Sequence, residues 1–250
     1  MLTFRRRVED MLIIKLESVD ASMLLPSINY PDLSLKMSPY DFHISTPRLY
    51  LSYLDPSCDE QCDFTLALYH GAPSVRRYPG VIKDVPDREA ARKIAASGDE
   101  KRRATGYGRY IISLKSESPE DDEETGVPFS QRKLERIGIV SMQLGRVAGE
   151  QAPTMPDVGF NMMEQYHGKG YATEAVQGLI KYFREEKGAK EIAGLTDDTN
   201  EEAKRLFRRL GFTNHGVRTV RGIRWSGEEL DVDLWTLGLE DGKKLEDFGF

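Results

Sequence analysis

The amino-acid sequence predicts an α/β fold, with one mixed central sheet flanked by helices. Three observations carry the prediction. Strand-like and helix-like segments follow one another in the order β-α-α-β-β-β-α-β-α-β-β, and elements interleaved in that way pack helices onto a shared sheet. Residues 171–187 hold the clearest helical pattern in the chain, with a two-glycine turn directly before it. A chain of 250 residues with 39% hydrophobic and 30% charged side chains can bury a substantial core.

Residues 1–45 show no clean periodicity and contain Pro26, Pro31 and Pro39, so an N-terminal extension is expected there. Thr46 to Leu54 reads as a first strand, with Pro47 at its start, where a missing N–H costs no ladder bond. Residues 59–70 read as a helix with Phe64, Leu66, Ala67 and Leu68 as contacts. Residues 86–95 read as a second helix, with acids early and bases late as the helix dipole prefers. Strands are expected over 107–114, 136–144 and 158–162. Between the first two of these lies the acidic run 117–126, whose like charges call for a solvated loop.

The helix at 171–187 places Ala172, Ala175, Val176, Leu179, Ile180 and Phe183 at i, i+3, i+4, i+7, i+8 and i+11, a single buried stripe. Gly188 closes it as a C-terminal cap. A strand at 191–195 and a helix at 200–210 follow, the latter with Ala203, Leu206, Phe207 and Leu210 on one face and Gly211 as its stop. Two last strands, 212–221 and 230–239, are joined by a turn at Ser226-Gly227. The domain is thus expected over 46–240, with a C-terminal tail at 241–250.

Composition narrows the function. The net charge is −6 and no basic stripe dominates, which speaks against general nucleic-acid binding. No apolar run approaches the roughly 18 residues of a membrane-spanning helix. The basic start is followed by Glu9, Asp10 and Glu17, which fits neither a signal peptide nor a transit peptide, so the cytoplasm is expected. Cys58 and Cys62 make no disulfide framework and lack nearby ligands of metal-finger spacing, so a structural role and no metal are expected.

The chemistry centres on Gln165-Tyr166-His167-Gly168-Lys169-Gly170-Tyr171-Ala172-Thr173-Glu174-Ala175, between a strand and a helix. First-turn N–H groups of a helix have no internal partners and carry the positive end of its dipole. Two glycines before that turn let an anion approach the main chain, so the turn reads as a phosphate-binding loop. It is not a P-loop, because Met163 and Gly170 stand where that motif needs Gly and Ser or Thr. Gly106-Tyr107-Gly108 lacks the third glycine of a dinucleotide fingerprint at Ile111 and reads as a turn before a strand.

Gln165-x-x-Gly168-x-Gly170-Tyr171-Ala172 resembles the Gln/Arg-x-x-Gly-x-Gly/Ala signature of the GNAT N-acetyltransferases. The longer run to Ala175 resembles the branch that acetylates ribosomal-protein N-termini, the RimJ/RimL type. Thr46-Pro47-Arg48-Leu49 resembles the family's first strand, Asp157-Val158-Gly159-Phe160 its fourth, and the segment from Asn200 to Gly211-Phe212 its Asn-started helix. Four segments in the family order are far more specific than one loop. The resemblance implies a GNAT fold whose sheet splays between its fourth and fifth strands, and acetyl-CoA as co-substrate.

By that resemblance, the backbone around His167, Gly168, Lys169, Gly170, Tyr171 and Ala172 holds the pyrophosphate, with Gln165 opening the motif. The fourth-strand residues Phe160, Asn161 and Met162 contact the pantetheine arm, and Asn200 reaches it from the other side. Asn200 also suits an N-cap. Phe207, also placed at the cofactor, stands where many members carry a tyrosine that protonates the leaving thiolate. The expected reaction is direct transfer of acetyl to a primary amine, a protein N-terminus or a small molecule, with no covalent enzyme intermediate. Asp157, Glu164 and Asp198 are the candidate bases, near the ends of cleft-lining elements. Because Phe207 has no proton to give, a non-catalytic acyl-CoA-binding module stays open beside the enzyme. A monomer or homodimer is expected, without nucleic acid or membrane as partner.

Overall fold

The computed structural model describes residues 38–76, 80–116, 126–146, 152–223 and 228–250. Residues 1–37 of the expected extension, nearly all of the acidic run and the Ser226-Gly227 turn lie outside the described residues.

In chain order the strands are β1 (His43–Ser45), β2 (Leu49–Tyr53), β3 (Gly108–Leu114), β4 (Arg136–Gln143), β5 (Asp157–Met162), β6 (Ile192–Thr196), β7 (Thr213–Val220) and β8 (Leu230–Leu237). The helices are α1 (Asp59–Gly71), α2 (Val81–Asp84), α3 (Arg88–Thr105), α4 (Tyr171–Lys187) and α5 (Glu201–Arg209). The eight strands form one mixed sheet in the order β1-β2-β3-β4-β5-β6-β8-β7. The β5–β6 pair is parallel and every other pair antiparallel.

The two faces of the sheet separate by the period-two alternation of its strands. Tyr110, Ile112, Val140, Met142, Val158 and Met162 form the core with α4, which contributes Val176, Leu179, Ile180 and Phe183. On the opposite face α3 covers Ile111 through Ala95, and α1 covers Ile139 through Leu68 and Ala72. Arg109, Ser141, Gly159, Asp157 and Asn161 therefore share this second face, since Arg109 pairs with Ser141 and Ser141 with Gly159.

The sheet opens at one place. β5 and β6 pair only at Asp157↔Ala193 and Val158↔Gly194. Beyond that point β5 continues through Met162, paired with β4 alone. The expected splay is present, but it lies between the fifth and sixth strands of the chain. The expected first strand is β2, and it is preceded by β1, which folds back on it from within the segment assigned to the extension. Three residues are too short to show a period.

Other differences have similar causes. α3 runs to Thr105 rather than ending near residue 95, because its later turns are held by polar groups. Asp99, 8% exposed, pairs with Arg102 at 2.5 Å and Arg103 at 2.8 Å and accepts from the Tyr40 hydroxyl at 3.0 Å. The segment after α1 contains a 3-10 turn (Pro73–Arg76) and α2. In the expected tail, Leu245 is buried, and Phe248 and Phe250 pack against Met155, Ala193 and Leu234. Cys62 is fully buried and its thiol is pushed up by burial, as a structural cysteine should be. None of the described helices is long and apolar enough to cross a membrane.

Candidate functional site

The chain leaves β5 through a 3-10 turn (Glu164–Tyr166) and reaches α4 over Gly168 and Gly170. Both glycines are left-handed, with φ of +75° and +82°. A side chain in that region costs roughly 1–2 kcal/mol. Gly170 is the N-cap of α4 and supplies no side-chain acceptor, whereas Asp87 caps α3 and Asn200 caps α5. The amides of Tyr171, Ala172 and Thr173 thus have neither a helical partner nor a capping side chain, at the positive end of a 17-residue helix.

These amides open onto a cavity of about 340 Å³. One wall is the loop, through His167, Gly168, Gly170, Tyr171 and Ala172. The second is β5, through Phe160, Asn161 and Met162. The third is α5, where Asn200, Ala203 and Leu206 are joined by Arg205 and Arg209. Ser74 of the turn after α1 closes the fourth side and donates to Asn161 Oδ1 at 3.1 Å. The cavity therefore lies where β5 and β6 part.

The β5 backbone has one amide aimed into this opening. Met163 N–H donates to Ile137 O on β4, so alternation turns the N–H groups of Phe160 and Met162 to the open side. Met162 N–H is taken by Asn161 Oδ1 at 3.1 Å, which leaves Phe160 N–H as the donor facing the splay. Across the mouth, His167 Nδ1 lies 3.7 Å from Glu202 of α5. The other ring nitrogen, Nε2, sits 3.1 Å from Met162 O and must donate, because a carbonyl only accepts.

A clamp from outside the cavity holds the loop. Glu174 in the first turn of α4 accepts from Thr46 Oγ1, from the Arg48 backbone N–H and from Arg48 Nε, each at 2.7 Å. Arg48 Nη1 also donates to Lys169 O at 3.1 Å, and the guanidinium lies 4.6 Å from the Tyr171 ring centroid. With its carbonyl turned outward to Arg48, the peptide after Lys169 leaves the cavity side to N–H groups. Burial alone would raise the Glu174 carboxyl. The bonds from Thr46 and from the Arg48 backbone and side chain outweigh it and hold the group below its ordinary value.

Nine of the twelve residues expected to hold the cofactor line the cavity: Phe160, Asn161 and Met162, then His167, Gly168, Gly170, Tyr171 and Ala172, and Asn200. Asn200 is also the α5 cap, accepting from Ala203 N at 3.3 Å. Gln165 and Lys169 are exposed and do not line it, and Lys169 Nζ rests 5.4 Å from the Tyr166 ring. Phe207 is core, 1% exposed, with its ring against Phe212, Trp235 and the back of Phe160. A Cβ on Gly194 would come within 2.6 Å of Phe207 Cζ, so the ring occupies the notch that this glycine leaves.

The three candidate bases do not line this cavity. Asp157 is buried at the start of β5 and paired with Arg146, whose Nε lies 3.1 Å from Oδ1. Asp198 is exposed and accepts from Lys204 Nζ at 3.1 Å, and Glu164 is exposed in the 3-10 turn. Sequence reasoning missed Arg48, Ser74, Arg205 and Arg209. Only the α5 pair left a signal, since residues 202, 205, 206 and 209 share one helical face.

Similarity to known proteins agrees with this geometry. Residues 48–213 match the family model described as acetyltransferase (GNAT) domain. No curated protein sequence matches the chain. Among solved structures, a Vibrio cholerae protein described as a candidate ribosomal-protein-serine acetyltransferase has a TM-score of 0.55 at 16% identity, covering 80% of this chain and 99% of its own. The ribosomal L7/L12 α-N-protein acetyltransferase RimL, solved with coenzyme A, gives 0.51 at 16% identity, covering 78% and 97%. The microcin C7 self-immunity acetyltransferase MccE, solved with acetyl-CoA and AMP, gives 0.52 at 15% identity, covering 77% and 93%. These likenesses establish a shared fold, and the family match spans most of the cavity-lining elements. The chain belongs to the acetyltransferase (GNAT) domain family, the acetyl-CoA-dependent N-acetyltransferases.

Proposed function

We propose that this acetyltransferase moves acetyl from acetyl-CoA directly to a primary amine, a protein N-terminus or a small molecule. One observation carries the reading: a helix N-terminus without a side-chain cap, preceded by two left-handed glycines, opens on a cavity that runs into a parted pair of parallel strands. The amides at Gly168 to Thr173 suit a diphosphate. The pantetheine arm then lies along Phe160 to Met162 with Asn200 opposite. Solved relatives by fold hold coenzyme A or acetyl-CoA.

In this arrangement Phe160 N–H polarises the thioester carbonyl and stabilises the oxyanion that forms as the amine attacks. Nitrogen bonds to the acetyl carbon, the carbon–sulfur bond breaks, and the amine proton passes to a base. Holding both reactants in place supplies much of the acceleration.

Asp157 is our first choice as base or acceptor contact. It sits one residue before the end of the β5–β6 pairing, on the sheet face opposite α4, so an amine arriving from that face meets it beside the parting point. Glu164 and Asp198 stand second. The buried Phe207 offers no proton, so thiolate protonation falls to water or another group. Residues 46–240 form the proposed catalytic unit, with a cytoplasmic location.

The test is release of free thiol from acetyl-CoA across a panel of α-amines, lysines, amino sugars and polyamines, with products read by mass spectrometry. Acetylated product from at least one class is expected. Coenzyme binding without thiol release from any amine would favour a non-catalytic acyl-CoA-binding module, the reading that Phe207 keeps in play. An absence of coenzyme binding would remove both.

A further inference from the structure

Two arginines at one end of the cavity have no carboxylate partner among the described residues. Arg205 and Arg209 stand one turn apart on α5, and both line the cavity. Arg209 Nη1 donates to Thr173 Oγ1 at 3.2 Å, an uncharged acceptor that places it beside the first turn of α4. Among the described residues neither arginine has an ion-pair partner, whereas Arg208, between them in sequence, meets Glu201 at 3.8 Å and covers Trp235. Among the described lining residues the other charged group is Glu202, which lies against His167 at the mouth. Two guanidinium groups against one carboxylate leave a surplus of positive charge inside a concave site, which attracts an anion.

The main-chain donors of the loop serve one anionic group, the diphosphate. Coenzyme A carries a second, the phosphate monoester on its ribose 3′ carbon, close to dianionic at neutral pH. A ribose ring separates the two, so the second needs donors beside the loop rather than in it. Arg209, tied to Thr173, stands beside the loop. Planar guanidinium groups match a phosphate monoester through paired N–H bonds.

Resting on the acetyl-CoA reading above, we infer that Arg205 and Arg209 form a phosphomonoester subsite. It recognises the ribose 3′-phosphate and makes the protein select coenzyme A over 3′-dephospho-coenzyme A.

The test is titration calorimetry of the full chain with coenzyme A and with 3′-dephospho-coenzyme A. The variants are Arg205→Gln, Arg209→Gln, the double variant and the double Arg→Lys variant. The unaltered protein should bind coenzyme A about tenfold or more tightly than the dephospho form, a difference of about 1.4 kcal/mol. In the double Gln variant the two affinities should converge to within about twofold, mainly by weakening coenzyme A, and the lysine variant should keep part of the preference. The preference should also shrink between roughly 50 and 300 mM salt, because both arginines are solvent-exposed. Equal affinity for both ligands in the unaltered protein, or an equal loss of both in the variants, overturns the subsite and assigns the arginines to the diphosphate. If neither ligand binds the unaltered protein, the acetyl-CoA reading falls first. If the double variant melts early, the single variants carry the same ratio test.

Discussion

Replacing Glu174 by alanine should loosen the glycine loop before α4, the proposed phosphate site, from its anchor, and the structure sets the size of the effect. The Glu174 side chain is 14% exposed and accepts three hydrogen bonds at 2.7 Å. A hydrogen bond to a charged group is worth about 1.5–3 kcal/mol net. Three such bonds do not sum here. Arg48 is 49% exposed, and solvent screening leaves its ion pair worth about 0–1 kcal/mol. The Thr46 hydroxyl can fall back on Leu49 O, already 3.2 Å away. The expected loss is therefore about 2–3 kcal/mol, or roughly 4–12 °C in melting temperature for a domain of this size.

Glu174→Gln keeps the shape and removes the charge, which gives the same site a pH signature. The Glu174 carboxyl is held below its ordinary value, so its contribution is present above the unfolded value near 4.3 and is lost as pH falls through the folded value. The gap in melting temperature between the unaltered protein and Glu174→Gln should be full at pH 7 and shrink as the pH is taken down into the acid range where the folded carboxyl protonates. Coenzyme A affinity should fall about tenfold in Glu174→Ala, because Arg48 no longer holds the Lys169 carbonyl outward. Thermal melts across pH and calorimetry with coenzyme A measure both effects. A stability loss under about 1 kcal/mol with unchanged coenzyme affinity would refute the clamp.

Gly168→Asp and Gly170→Asp should each abolish coenzyme A binding at a stability cost of roughly 1–2 kcal/mol, since each puts a side chain at a left-handed position and a negative charge into the loop proposed to hold the anion, at Gly170 with its Cβ 3.5 Å from Arg48 Nη2 of the clamp. Retained affinity in either variant would remove the pyrophosphate assignment. Phe207→Tyr adds an oxygen at the ring end that already fills the Gly194 notch, so it should destabilise by about 1–3 kcal/mol and not raise kcat. A faster enzyme of equal melting temperature would place this ring in the active site instead. Asp157→Asn should lower kcat by about a hundredfold or more while coenzyme A affinity holds, with the rise of rate with pH altered. An unchanged kcat in Asp157→Asn, with a loss in Glu164→Gln or Asp198→Asn, would move the base to that residue.

The parts of the molecule governed by local rules were legible in the chain. α4 spans the residues its 3.6-residue period marks, and Gly188 caps it as its position predicts. The left-handed glycine turn and uncapped start of α4 were legible because glycine placement and an unpaired first turn are properties of a few consecutive residues. Element ends were less so, as with the later turns of α3, whose buried face centres on Asp99. What tertiary structure alone decided is everything that joins distant segments. Arg48 and Glu174 lie 126 positions apart, and no pattern in either segment announces that one anchors the other. Phe207 was expected at the cofactor because the resemblance puts it where many members carry a tyrosine. Its own ring is core, because Gly194 on β6 leaves the space it fills. The ion pair of Asp157 with Arg146, on the face away from α4, is likewise announced by neither segment. A sequence sets backbone preference and the side a residue presents within its own element. Which groups meet across elements depends on register, twist and the packing of the whole sheet.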